Sequence, residues 1–161
     1  MYFLRSIQSQ DDAALATIIR QVSQEYGLAP ESGFAVADPI LDHLSAVYSQ
    51  PKAAYWVVTN DYGEVFGGGG IAPLQGADHI LEIQKMYFLS DIRGQGLAKQ
   101  ILMQAFEFAQ AQGAKQIYLE TTACLQEAVS LYERLGFEYL DAPLGNTGHS
   151  AACEIWMAKT L

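Results

Sequence analysis

The sequence is poor in positive charge. Nine lysines and arginines stand against 18 aspartates and glutamates, for a formal net charge of −9 over 161 residues. That balance argues against a nucleic-acid partner, whose affinity comes from Lys and Arg neutralising phosphates. As a field effect it favours cationic over anionic substrates. Cysteine is nearly absent. Cys124 and Cys153 form no metal or redox motif, and two reduced, mostly buried thiols are expected, with a disulfide as the alternative. His43, His79 and His149 are scattered without Cys/His spacing, so no metal site is expected. No apolar run reaches transmembrane length, and the opening MYFLRSIQSQDD lacks the charged-then-apolar order of a signal peptide. The expectation is a cytoplasmic protein without a membrane partner. Repeats, low-complexity segments and internal boundaries are also missing, so residues 1–161 read as a single domain.

What is present is a chain built to fold. Half of its residues are hydrophobic and 17% charged, a composition that supports a sizeable core. Residues 1–7 read as a strand. Asp11 and Asp12 open a helix to about Tyr26, with Leu15, Ile18, Ile19 and Val22 on one face and Gly27 ending it. Residues 28–37 read as a loop, and Asp38-Pro39 as the cap and first turn of a second helix through Tyr48. Residues 53–59 and 64–71 form an antiparallel pair around a turn at Asn60-Asp61-Tyr62-Gly63. The run Gly67-Gly68-Gly69-Gly70 lacks the following helix of a dinucleotide loop, because Pro73 comes instead. It predicts a narrow strand that makes room for a neighbour. Farther on, 116–120 is a strand, 127–135 a helix, 137–140 a strand, 144–150 a glycine-bearing loop and 151–159 a last strand.

The chain is organised around residues 79–112, HILEIQKMYFLSDIRGQGLAKQILMQAFEFAQAQ. A strand leads into the turn Arg93-Gly94-Gln95-Gly96-Leu97-Ala98, and an amphipathic helix follows, with Leu97, Ala98, Ile101, Leu102, Ala105, Phe106 and Ala109 on its apolar face. Glycines let backbone approach a ligand closely, and a helix N-terminus offers unpaired N–H groups to a phosphate. The turn therefore predicts a diphosphate cradle.

The order Gln/Arg-x-x-Gly-x-Gly/Ala resembles the acyl-CoA pyrophosphate signature of the GNAT N-acetyltransferases, and RGQGLA fits it at every defined position. YLETT at 118–122 and EAVSLYERLGFEYL at 127–140 are similar to the family's next strand, helix and closing strand. The resemblance is close from Glu64 onward and loose before it. It implies an α/β (α+β) fold of GNAT type, a mixed, mostly antiparallel sheet flanked by helices. It also implies acetyl-CoA as co-substrate and direct transfer of acetyl to a primary amine.

On this resemblance Glu82, eleven residues before Arg93, matches the glutamate base of family members. Strand alternation sets it beside Ile80, Gln84, Met86 and Phe88, an apolar face where burial raises a carboxylate's pKa. A solvated glutamate, or one that only pairs with the amine, is the other reading. Tyr132 matches the tyrosine that protonates the leaving thiolate; on its stripe with Leu125, Ala128 and Val129 it is otherwise a core aromatic. Backbone amides of Met86, Tyr87 and Phe88 are implied to polarise the thioester and pair with pantetheine. Arg93, Gly94, Gln95, Gly96, Leu97 and Ala98 are implied to hold the pyrophosphate, with Arg93 alternatively a surface arginine. Glu120, Thr121 and Thr122 end the opposing strand and line the site by resemblance, and Tyr26, Phe34 and Asp38 belong to helices that wall the acceptor pocket. His149 is a further substrate candidate, or a solvated loop histidine. Cys124 as an acyl acceptor lacks any neighbour that lowers its pKa.

The predicted acceptor is a small-molecule amine: an amino acid, a polyamine, or an aminated metabolite or drug. The alternatives are acetylation of a protein N-terminus or lysine, and a non-catalytic acyl-CoA sensor. Such folds often form homodimers, and the sequence specifies no interface.

Overall fold

The computed structural model describes residues 1–28, 39–148, 150 and 152–161. Its alternating apolar segments become the strands β1 (Tyr2–Ser6), β2 (Ala54–Asn60), β3 (Val65–Pro73), β4 (Ile80–Phe88), β5 (Gln116–Thr121), β6 (Glu138–Tyr139) and β7 (Ile155–Thr160). They make one sheet in the order β1-β2-β3-β4-β5-β7-β6. Every pairing is antiparallel except that of β4 with β5. Helices α1 (Asp12–Glu25), α2 (Leu44–Val47), α3 (Leu97–Ala111) and α4 (Gln126–Arg134) flank it. This is the mixed, mostly antiparallel α/β fold expected.

Both faces of the central strands are covered, which explains the unbroken apolar run Tyr55-Trp56-Val57-Val58 in β2. Trp56 and Val58 join Ile71, Leu81 and Ile83 under Ile101, Leu102 and Ala105 of α3. Tyr55 and Val57 point the other way, against Leu15 and Ile19 of α1 and Leu41, Leu44 and Tyr48. Tyr118 and Leu74 fill a smaller cluster with Ala158. Burying one such aliphatic side chain contributes about 1.5–3 kcal/mol, so the two faces together carry the fold.

Two elements depart from the sequence reading. The second helix is split into a 3-10 segment, Pro39–His43, and the short α2. The reason is a cap supplied from elsewhere: the Asp12 carboxylate accepts from Ser45 N at 2.8 Å and from Ser45 Oγ at 2.7 Å. A helix N-terminus is thereby started within the segment. The last strand begins at Ile155, because Glu154 is turned back to accept from Ala123 N at 2.9 Å and Thr122 Oγ1 at 3.1 Å.

The glycine run makes room for neighbours, as expected. A Cβ on Gly68 would stand 2.5 Å from Tyr55 Cε1, and one on Gly70 would stand 2.6 Å from Tyr55 Cδ2 and 2.9 Å from Tyr48 Cε1. β3 is also where the register against β4 shifts. Gly68 pairs with Tyr87 but Gly70 with Gln84, so Lys85 and Met86 together face one residue of β3. This is a β-bulge. Lys85 carries it with φ +51°, a left-handed conformation that costs a non-glycine residue about 1–3 kcal/mol unless its surroundings hold it.

Candidate active site

The glycine turn has the local form the sequence predicts. Gly94 and Gly96 have φ of +76° and +77°, and Gly96 is the N-cap of α3. A Cβ on either would meet nothing within 4 Å. Glycine is therefore required by the backbone, not by crowding, and the space above the turn is open to a ligand. Among the described residues, no backbone N–H of residues 94–98 donates to a protein acceptor. Leu97 anchors the turn from below, buried at 6% exposure, while Gln95 lies exposed with Nε2 3.3 Å from Asp91 O. The turn and the positive end of the fifteen-residue helix suit a diphosphate.

The Arg93 side chain points elsewhere. Its guanidinium forms a bidentate pair with Glu25 at the end of α1, at 2.7 and 2.9 Å, and Nε donates to Phe88 O at 3.0 Å. It also lies 5.4 Å over the Tyr26 ring. Pairing with Glu25 holds the guanidinium above its ordinary pKa and the glutamate below its own. Arg93 thus fastens α1 to the glycine turn.

Beyond the turn the sheet opens. β4 and β5 pair only at Ile80–Gln116, Leu81–Ile117 and Glu82–Tyr118, although both strands continue. The gap between them is part of a cleft of about 580 Å³, lined among others by Glu82, Gln84, Met86, Tyr87, Glu120 and Tyr132. Its described charged residues are Glu82, Lys85 and Glu120.

Glu82 is 4% exposed. Gln84 Nε2 donates to its Oε1 at 2.6 Å, and Tyr48 Oη donates to Gln84 Oε1 at 2.8 Å. The expectation that Glu82 shares a face with Met86 and Phe88 is overturned. Alternation restarts at the bulge, so Glu82 and Gln84 turn toward Tyr48 and the α1–α2 side, whereas Met86 and Phe88 pack with α3. Tyr87 packs on the Tyr48–Tyr55 side.

Tyr132 belongs to the α3 side. It is buried, edge-on to Phe137 at 5.7 Å, and among the described residues its hydroxyl has no hydrogen-bond partner. Burial, with the Tyr87 hydroxyl adding to it, pushes its pKa up to about 12. The cleft therefore runs through the sheet, with Glu82 on one face and Tyr132 on the other.

Glu120 lies on the Glu82 side, where it accepts from Tyr118 Oη and Thr147 Oγ1, each at 2.6 Å, and from Ser150 Oγ. Burial and this carboxylate hold the Tyr118 hydroxyl above its ordinary pKa. The same contacts pin Thr147 and Ser150, helped by Asn146 N donating to Gln75 O at 2.6 Å. Thr121 and Thr122 are buried along the cleft. His149, Phe34 and Asp38 lie outside the described residues. His43 and His79 are exposed.

The cysteines differ from the expectation of two buried thiols. Cys124 is exposed on the turn before α4, Cys153 is buried against the cleft, and no disulfide joins them. Among the described residues no group of His, Cys, Asp and Glu could hold a metal, and no helix is long and apolar enough to cross a membrane. Sequence reasoning missed Tyr48, Gln84, Thr147 and the bulge at Lys85. Only the neighbouring glycines hinted at the last.

Residues 19–137 match the acetyltransferase (GNAT) family model. The chain is 57% identical over 159 residues to YjgM, an uncharacterized N-acetyltransferase of Escherichia coli K12, covering 98% of this chain and 94% of that protein. It is 36% identical over 93 residues to the N-acetylaspartate synthetase of Xenopus tropicalis, which is 56% of this chain and 33% of that one. A GNAT-family acetyltransferase of Staphylococcus aureus Mu50 shares the fold at a TM-score of 0.87 and 17% identity, over 100% of this chain and 99% of its own. The PaiA N-acetyltransferase of Thermoplasma acidophilum, solved with coenzyme A, does so at 0.75 and 14%, over 100% and 99%.

Proposed function

The chain belongs to the acetyltransferase (GNAT) family and is an acetyl-CoA-dependent acetyltransferase, and we propose that its acceptor is the primary amine of a small molecule. The observation that carries this reading is the buried Glu82 carboxylate on the wall of a bounded cleft. A second carboxylate, Glu120, stands on the same side, and Lys85 is the one cation among the described lining residues. Such a lining suits a protonated amine. The loop pinned to Glu120 limits the cleft on one side, which favours a compact acceptor over a peptide.

The residues fit the co-substrate. Unpaired N–H groups and left-handed glycines at 94–98 would hold the pyrophosphate, and the β5-facing edge of β4 past Glu82 would hold pantetheine. Acetyl-CoA, when bound, supplies the activated acetyl group. Backbone at Met86, Tyr87 and Phe88 would orient and polarise the acyl carbonyl.

Glu82 takes the proton from the attacking amine, directly or through one water, while Tyr48 and Gln84 fix its orientation. Tyr132 approaches from the opposite face. With its pKa at about 12, it is a weaker acid than a thiol, which ordinarily lies near about 8.5. Complete proton transfer from it would run uphill. Its contribution is a hydrogen bond to the charge that develops on the departing sulfur, supplied where it counts, in the transition state.

Thiol release from acetyl-CoA, measured against amino acids, polyamines, aminoglycosides and short peptides, tests the reading. Turnover of one small amine class with peptides inert supports it. Turnover of peptides alone contradicts it, and so does tight acetyl-CoA binding with no acceptor at all.

A further inference from the structure

Tyr55 is a buried tyrosine that the chemistry above does not use. It stands on β2 opposite Gly70, and its ring lies across β3 in the space left by Gly68 and Gly70. Those two glycines point to the same face, so together they leave a channel through which the side chain reaches past β3 to β4. There its Oη donates a 2.8 Å hydrogen bond to the carbonyl of Lys85, the residue at φ +51° in the bulge. Tyr48 packs on the ring with centroids 5.0 Å apart and sends its own hydroxyl to Gln84.

We propose that Tyr55 is a positioning residue for acyl transfer: its hydroxyl holds the Lys85 bulge, and through the bulge it sets Glu82 and the Met86–Phe88 backbone in their relative places. The consequence for turnover rests on the acetyltransferase reading; the contact does not. The bulge is what puts Glu82 and Gln84 on one face and Met86 on the other. Without it, alternation would continue unbroken and one set would swap faces. A left-handed backbone is uncommon for a lysine and costs it free energy, which an external hold on the bulge offsets. A deeply buried phenol, which keeps its proton, is a permanent donor to that carbonyl. The glycines of β3 are then part of the catalytic apparatus at one remove, because any side chain at Gly68 or Gly70 would displace the Tyr55 ring.

Tyr55→Phe keeps the ring and removes the donor. In hydrogen exchange on the ligand-free protein, amides 85–88 should exchange about tenfold faster, with α3 unchanged, as expected for loss of one hydrogen bond from a local opening unit. With the amine that the acceptor panel identifies, kcat should fall about tenfold while KM for acetyl-CoA moves by less than about threefold, because the pyrophosphate cradle is untouched. Tyr48→Phe removes a hydroxyl from the same cluster and should leave exchange at 85–88 as in the wild type. The proposal is overturned if Tyr55→Phe leaves exchange at 85–88 unchanged, if both variants accelerate it equally, or if exchange rises with kcat intact. Should the wild type acetylate no amine, the functional reading fails, and the exchange comparison still decides whether Tyr55 holds the bulge.

Discussion

Glu82 and Tyr132 reach one cleft from opposite faces of the sheet. Two features make this possible. β4 and β5 stop pairing at the Glu82–Tyr118 rung, and the bulge at Lys85 reverses which residues of β4 face which way. In the proposed reaction, the proton acceptor and the group facing the leaving sulfur can then flank a bound thioester without competing for the same space.

Tyr132→Phe should lower kcat by about ten- to a hundredfold, the size expected for one hydrogen bond that strengthens in the transition state. KM for acetyl-CoA should change little. Because burial pushes the Tyr132 hydroxyl up to about 12, no limb of the wild-type pH profile below about pH 10 belongs to it, and the variant should keep the wild-type profile shape. Steady-state kinetics across pH checks both points.

Gly96→Ala should weaken CoA binding by about tenfold. Its φ of +77° is strained for any L-residue, although nothing occupies the space a methyl group would take. The left-handed penalty of about 1–2 kcal/mol falls on the turn that presents the N–H groups. Titration calorimetry with CoA measures this, and an unchanged dissociation constant would count against the cradle.

Asp11 is a stability residue remote from the cleft. Burial favours its neutral form, yet the Arg5 guanidinium at 2.8 and 2.9 Å and the Gln8 N–H prevail and hold its pKa below the ordinary 3.8. A depressed carboxylate stabilises the fold above the unfolded-state pKa and loses that contribution as pH falls through the folded one. Asp11→Asn should therefore cost about 1.5–3 kcal/mol at neutral pH, toward the lower figure because Arg5 is 31% exposed. The deficit should shrink below about pH 4. Urea denaturation at several pH values measures it.

The strands, α1, α3 and the glycine turn were legible in the sequence, because periodicity and glycine placement act locally. Leu15 to Val22 and Leu97 to Ala109 announce their faces before any tertiary contact is known. The split of the second helix was not legible, since the group that caps Ser45 is Asp12, 33 residues away. The bulge was hidden for a similar reason. Lysine carries no signal for a left-handed backbone, and what holds Lys85 comes from Tyr55 two strands away. That hidden bulge is also why simple alternation put Met86 and Phe88 on the face of Glu82 and Gln84. Arg93 matched a motif position, but its side chain answers to Glu25, which only the packing of α1 brings near.

The most direct test of the account is the pH dependence of kcat/KM for Glu82→Gln, with the amine that the acceptor panel identifies. A loss of about a hundred- to ten-thousandfold at neutral pH is expected, with the CoA dissociation constant unchanged. Wild-type turnover across the pH range would contradict that role, and would remove Glu82 from the reaction.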